Sequence, residues 1–194
     1  MLRDKLKNYK IILASASPRR QHFFKDLDLD FEIRLKDIEE VYPDNLEGVE
    51  ITNYLAQLKA NAFSGELSTN EILVTSDTIV WLNNKALGKP KDYDDAFAIL
   101  KSLSNETHEV ITSVCFKTIE KMETIFDITK VTFNELSDEA IRYYLDNYKP
   151  FDKAGAYGIQ EWIGLVGITR IDGSYTNVVG LPTEKVYQYF SNYN

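Results

Sequence analysis

Ile11-Ile12-Leu13-Ala14-Ser15-Ala16-Ser17-Pro18-Arg19-Arg20 carries the chain from a buried strand through a hydroxyl-rich turn into a helix. The apolar run at 10–14 reads as a strand, and Pro18 has the fixed φ and the missing N–H of a first helical residue. Ser17 before it is a good N-cap, and Phe23, Phe24 and Leu27 then recur at helical spacing. The helix start offers unpaired N–H groups and the positive end of a dipole, which together favour an anion such as phosphate. Arg19 and Arg20 add guanidinium groups able to grip its oxygens in pairs. The plain alternative is a solvated basic first turn.

Outward from this stretch the elements alternate. A strand is expected at 31–35, then an acidic irregular segment through Glu39-Glu40 to Pro43, then a helix over about 50–64. Ile72-Leu73-Val74 begins a strand that continues through Thr75-Ser76-Asp77-Thr78 to Trp81, followed by a turn at Asn83-Asn84. Ala96, Phe97, Leu100 and Leu103 outline a helix. The runs 108–118 and 124–133 alternate in polarity as a β-hairpin. Ser137 caps a helix whose face carries Ile141, Tyr144, Leu145 and Tyr148. Two late strands are expected at 164–171 and 175–179, meeting at Asp172-Gly173, with a final helix from Pro182. No repeat, low-complexity tract or long linker divides the 194 residues, so a single α/β or α+β unit is expected.

Composition narrows the function. At 44% hydrophobic and 27% charged residues the chain reads as an ordinary soluble globular protein, and a net charge of −8 argues against general nucleic-acid or membrane-surface binding. Cys115 is the single cysteine, which excludes an internal disulfide framework and suits a reducing compartment. No run approaches the roughly 20 apolar residues of a membrane span, and no signal-peptide core follows the N-terminus, so a cytoplasmic location is expected. The two histidines, His22 and His108, form no zinc spacing, and neither a P-loop nor a dinucleotide fingerprint occurs.

Asp77 stands inside a strongly β-forming segment, where an unpartnered carboxylate costs several kcal/mol. It must pair with a cation, hold a hard metal ion, or lie at a strand bend accepting turn hydrogen bonds. Lys89 is fixed in its backbone between Gly88 and Pro90. Lys59 lies on the polar side of the 50–64 helix. Each lysine alone reads as solvated, as does Glu39-Glu40, yet the set could neutralise a polyphosphate while carboxylates hold Mg²⁺. Small residues cluster at Ala154-Gly155-Ala156-Tyr157-Gly158-Ile159-Gln160, where Gln160 could read a base edge by donating and accepting.

With these residues assembled, the chain resembles the Maf family of nucleoside triphosphate pyrophosphatases from about residue 10 to the final helix. The resemblance rests on Ser15–Arg20, Glu39-Glu40, Leu58-Lys59-Ala60, Ser76-Asp77-Thr78, Gly88-Lys89-Pro90, Asp152–Gln160 and Gly180-Leu181-Pro182, in that order. It implies one Maf-like domain over 1–194 with an α/β, elongated two-lobed inosine triphosphate pyrophosphatase-like fold: a mixed, twisted β-sheet flanked by helices, with a central cleft. It implies hydrolysis of a nucleoside triphosphate to monophosphate and pyrophosphate with a divalent cation, Mg²⁺ or Mn²⁺. Asp77 is then the proton acceptor, with Lys59 and Lys89 catalytic beside it. Arg19, Thr78 and Gln160 govern substrate choice. Beside this, the residues themselves lead us to expect phosphate at Ser15, Ser17 and Arg20, and the metal on Asp77 and Glu40. Tyr157-Gly158-Ile159-Gln160 is similar to the subgroup acting on dTTP and UTP, with CTP or modified pyrimidine nucleotides as further substrates. The resemblance also implies a homodimer. The alternative reading is a nucleotide-binding regulator of cell division or septum formation. Two departures from the family pattern stand out: Thr75-Ser76 where Gly-Ala is common, and Glu161-Trp162 where small residues are common.

Overall fold

A computed structural model of the chain describes residues 2–193. The elements, in order, are α1 (Leu2–Leu6), β1 (Lys10–Leu13), α2 (Pro18–Asp26), β2 (Phe31–Ile33), α3 (Val49–Asn61), β3 (Glu71–Leu82), β4 (Lys85–Leu87) and α4 (Tyr93–Leu103). They continue with β5 (Thr107–Lys117), β6 (Met122–Phe133), α5 (Asp138–Tyr148), a 3₁₀ turn (Ala154–Ala156), α6 (Trp162–Gly167), β7 (Ile168–Asp172), α7 (Tyr175–Val179) and α8 (Thr183–Asn192). The strands form a seven-stranded mixed sheet in the order β2-β1-β3-β5-β6-β7, with β4 on β3. β1 runs parallel to both β2 and β3, whereas β4 and β7 are antiparallel to β3 and β6. The mixed α/β class expected from the sequence is the class observed.

The chain divides into two compact units, one holding Met1–Asp77, Thr112–Asp127 and Gly180–Asn194, the other Thr78–Ile111 and Ile128–Val179. In the first, the pleat decides what each helix covers. Ile11, Leu13, Ile72, Val74, Val114 and Phe116 point to one face, where Phe24 of α2 and Val186 and Phe190 of α8 bury them. Ile12, Leu73 and Cys115, one residue out of phase, meet Ala56 and Ala60 of α3 on the other. A strand covered on both faces must be apolar throughout, which is why 11–13 and 72–74 read as unbroken hydrophobic runs.

In the second unit α4 and α5 supply Ala96, Leu100, Leu103, Ile141, Tyr144 and Leu145 to a core shared with Val110, Val131 and Phe133 of β5 and β6. Ser137 caps α5 by accepting the Ala140 N–H at 3.1 Å. Asn83 and Asn84 both take positive φ, 50° and 60°, as expected of a tight turn between strands.

The late strands are the part of the sequence reading that the structure corrects. Residues 162–167 are helical, so only 168–172 form a strand, and 175–179 form α7. Glycine drives the first change: a Cβ on Gly164 would stand 1.8 Å from the Ile159 carbonyl oxygen, so the turn closes onto that backbone because no side chain intervenes. A buried amide drives the second. Asn177 donates through Nδ2 to Val110 O at 3.0 Å and Thr129 Oγ1 at 2.9 Å, while Ser174 Oγ accepts its N–H. These tertiary bonds outweigh the β preference of Val178 and Val179. The strand expected at 31–35 ends at Ile33, and residues 2–6 form a helix, α1, for which no element was expected.

Candidate active site

Strand alternation selects the side chains that meet α3. Leu73 packs among Ala56 and Ala60, and Thr75, two residues on, donates its hydroxyl to Ala56 O at 2.7 Å. Two further on, Asp77 accepts from Lys59 Nζ at 2.6 Å. Lys59 lies three residues beyond Ala56, the next helical position on the same face, so helix and strand advance together. The polar interruption in an apolar strand thus has its cation.

The Lys59 ammonium is shared. It also lies 3.1 Å from Glu40 Oε1, supplied by the acidic segment after β2. The pair with Asp77 is enclosed, with side chains 14% and 8% exposed, while Glu40 opens to water at 44%. Burial pushes the Asp77 carboxyl above the usual aspartate range, against the pull of Lys59 and Arg20. A buried carboxylate with a raised pKa beside a lysine is a group suited to accepting a proton.

Arg20 is committed to the backbone around this residue. Its Nε donates to Gly180 O at 2.9 Å and its Nη1 to Ser76 O at 3.0 Å, so it ties the start of α2 to the strand position just before Asp77. This is the role of Gly180-Leu181-Pro182 in the site, and sequence reading had no signal for it, because a carbonyl acceptor leaves no mark in the residue type. Ser17 caps α2 through the Arg20 N–H, and Ser15 Oγ accepts the Ser17 N–H at 3.3 Å, fixing the turn where an anion would meet the helix start. Arg19 is partly buried in the first turn of α2.

The first unit therefore gathers Ser15, Ser17, Arg19, Arg20, Glu40, Lys59 and Asp77. Thr78, Lys89 and Gln160 belong to the second. There the Gly155 N–H donates to Gly88 O at 3.1 Å, so the loop of Lys89 is tied to the segment leading to Gln160. Gly155 makes this possible: its φ is +69°, and a Cβ would stand 2.6 Å from Val80 Cγ2. Lys89 and Gln160 are exposed, and Thr78 is half-buried.

Among the described residues no group of three or more His, Cys, Asp and Glu side chains forms a closed metal cage. Asp77 and Glu40 bring two carboxylates to one ammonium, that of Lys59; hard oxygens of this kind are what a cation such as Mg²⁺ takes, with waters and phosphate oxygens completing its shell.

The family model described as Maf-like protein matches residues 10–193. A dTTP/UTP pyrophosphatase of Flavobacterium psychrophilum is 75% identical over 193 residues, covering 100% of this chain and 99% of its own. One from Flavobacterium johnsoniae is 71% identical over 191 residues, covering 98% of each chain. Among solved structures, a HAM1 protein from Coxiella burnetii aligns over 95% of this chain and 100% of its own with a TM-score of 0.51 and 15% identity, a likeness of fold. Matched by the family model over residues 10–193 and 75% identical along its whole length to one of these relatives, the chain belongs to the Maf family.

Proposed function

We propose that this protein hydrolyses dTTP and UTP to the nucleoside monophosphate and pyrophosphate, removing nucleotides from the cellular pool. The observation that carries the reading is the enclosed Asp77, bridged through Lys59 to Glu40, in a chain 75% identical to a dTTP/UTP pyrophosphatase along its whole length. A pure nucleotide-binding regulator has no use for a buried proton acceptor at that position.

In the reaction, Asp77 accepts a proton from a water whose oxygen bonds to the α-phosphorus. The bond from that phosphorus to the α,β-bridging oxygen breaks, and pyrophosphate departs with its electron pair. Lys59 and Lys89 neutralise charge that develops on the triphosphate oxygens. Ser15, Ser17 and the first N–H groups of α2 take up phosphate oxygens, and the Arg20 cation contributes at the same end. Arg19, Thr78 and Gln160 select the nucleotide, with Gln160 bonding the pyrimidine edge. A divalent cation held by Asp77 and Glu40 would neutralise triphosphate charge and acidify a bound water. Positioning and electrostatic stabilisation supply the barrier reduction, and no covalent intermediate is required.

Among the described residues no helix is long and apolar enough to cross a membrane. We place the enzyme in the cytoplasm as a homodimer, with residues 1–194 read as a single Maf-like domain. The test is a nucleotide panel scored for pyrophosphate release with and without a chelator. Release from dTTP and UTP, lost on chelation, is the expected result. Absence of release at micromolar enzyme overturns the hydrolase reading.

A further inference from the structure

Gln160 is exposed, and an exposed glutamine has several rotamers, so its use in choosing a nucleotide requires that something hold it. The structure surrounds it with a device that neither the family resemblance nor the relatives' names assign. Glu161, next along, accepts from the hydroxyl of Tyr144 on its Oε2 and lies 3.1 Å from Lys153 Nζ through Oε1. Tyr144 is fully buried on α5, and the same hydroxyl oxygen accepts the Gly158 N–H at 3.0 Å. One phenol thus holds both ends of Gly158-Ile159-Gln160-Glu161.

Gly158 shows how tightly the segment closes. A Cβ there would stand 2.8 Å from Glu161 Cδ and 3.0 Å from Gln160 Nε2, so the carboxylate and the Gln160 amide lie together over its bare Cα. The far side is equally closed, since Gly164 N–H donates back to Glu161 O at 2.9 Å and a Cβ on Gly164 would strike Ile159 O. The Tyr144 hydroxyl stays protonated far above neutral pH, because burial and the Glu161 carboxylate both push it up, so the donor is permanent.

We infer that Tyr144, Glu161 and Lys153 form a clamp that positions Gln160 for base selection, and that Glu161 is a specificity-positioning residue of this chain. A glycine in place of Glu161 would leave the Tyr144 hydroxyl and Lys153 without the carboxylate they share. The inference rests on the reading of Gln160 as the base-selecting residue.

The test measures kcat/KM for dTTP and for dGTP, and their ratio, in the full-length protein. Gln160→Ala sets the scale. Tyr144→Phe and Glu161→Ala are each expected to lower the dTTP preference about tenfold, through KM for dTTP more than through kcat, since a misplacement near 1 Å is costly. Glu161→Gln, which still accepts from Tyr144, restores most of the ratio. Added to Gln160→Ala, neither Tyr144→Phe nor Glu161→Ala changes the ratio further, the signature of residues acting through one side chain. If Tyr144→Phe does not fold, the two Glu161 variants decide alone. A ratio changed by Gln160→Ala but not by the clamp variants overturns the clamp and leaves the reading of Gln160 standing. A ratio unchanged by Gln160→Ala removes that reading, and the positioning role with it.

Discussion

Lys59 reaches Asp77 at 2.6 Å as the second of two successive rungs between one helix and one strand, the first being Thr75 Oγ1 to Ala56 O at 2.7 Å. The strand advances two residues (about 6.6 Å) between rungs and the helix three (about 4.5 Å), so each periodicity returns to the same face and the long lysine side chain spans the difference. The Asp77 carboxylate is delivered to the helix face by geometry that the apolar residues Leu73, Ala56 and Ala60 already enforce.

Asp77→Asn keeps the shape and removes the carboxylate proposed to take the proton. Turnover of dTTP is expected to fall by at least about 10²-fold, the lower range for loss of a positioned acid–base group. Stability should move the other way. Folding raises the Asp77 pKa, so the native state prefers the neutral group: that preference favours folding at low pH and is lost as pH rises through the native value. Neutral Asn is therefore tolerated at pH 7, and Lys59 retains Glu40. Urea unfolding should give a midpoint equal to or above the parent's, and kcat/KM of the parent should fall on an acid limb above the ordinary aspartate range.

Arg20 predicts a stability phenotype that an arginine serving only a bound phosphate would lack. Arg20→Met leaves the carbonyls of Ser76 and Gly180 without the guanidinium, and each charge-assisted bond is worth roughly 1.5–3 kcal/mol. A loss of about 3 kcal/mol in denaturant unfolding without nucleotide is expected. Arg20→Lys has one nitrogen for two acceptors and should fall between. An unchanged midpoint in both variants would confine Arg20 to ligand binding.

His108 makes the second unit acid-sensitive. It is buried, its Nε2 lies 2.7 Å from the Tyr157 hydroxyl, and its Nδ1 has no protein hydrogen-bond partner. Burial lowers its pKa from 6.5 to about 4. The depressed value gives stability that is whole above pH 6.5 and lost as pH falls toward 4, up to about 3 kcal/mol. His108→Gln cannot titrate and should flatten the stability profile across that window. A slope equal to the parent's would assign the acid sensitivity elsewhere.

Gly164→Ala sets two effects against each other. Alanine in a helix is favoured by about 1 kcal/mol, but its Cβ would stand 1.8 Å from Ile159 O, and backbone must move. The clash wins, and a net destabilisation of about 2 kcal/mol is expected by thermal or urea unfolding. Because the displaced carbonyl precedes Gln160, the dTTP-to-dGTP selectivity should fall in the same variant.

Much of this architecture is legible in the sequence, for physical reasons. Ser17-Pro18 marks a helix start because capping and a fixed φ are local properties. Asp77 announces a partner because a carboxylate in an apolar strand has nowhere else to place its charge. The acceptors of Arg20 are not legible, since any residue carries a carbonyl. Nor are α6 and α7, where a close approach at Gly164 and the buried amide of Asn177 override local preference. The Tyr144–Glu161 contact joins a residue of a helix face to one that stands out in the sequence only as a departure from the family pattern, and only the fold brings them together.

In the proposed reaction, water attacks the α-phosphorus of a pyrimidine nucleoside triphosphate with Asp77 taking its proton. Turnover of dTTP in water enriched in oxygen-18, with the products resolved by mass, tests it most directly. The label is predicted in the nucleoside monophosphate, with unlabelled pyrophosphate, and the Asp77→Asn protein should form neither product at a comparable rate. Label in pyrophosphate, or release of inorganic phosphate with a nucleoside diphosphate, would contradict the account.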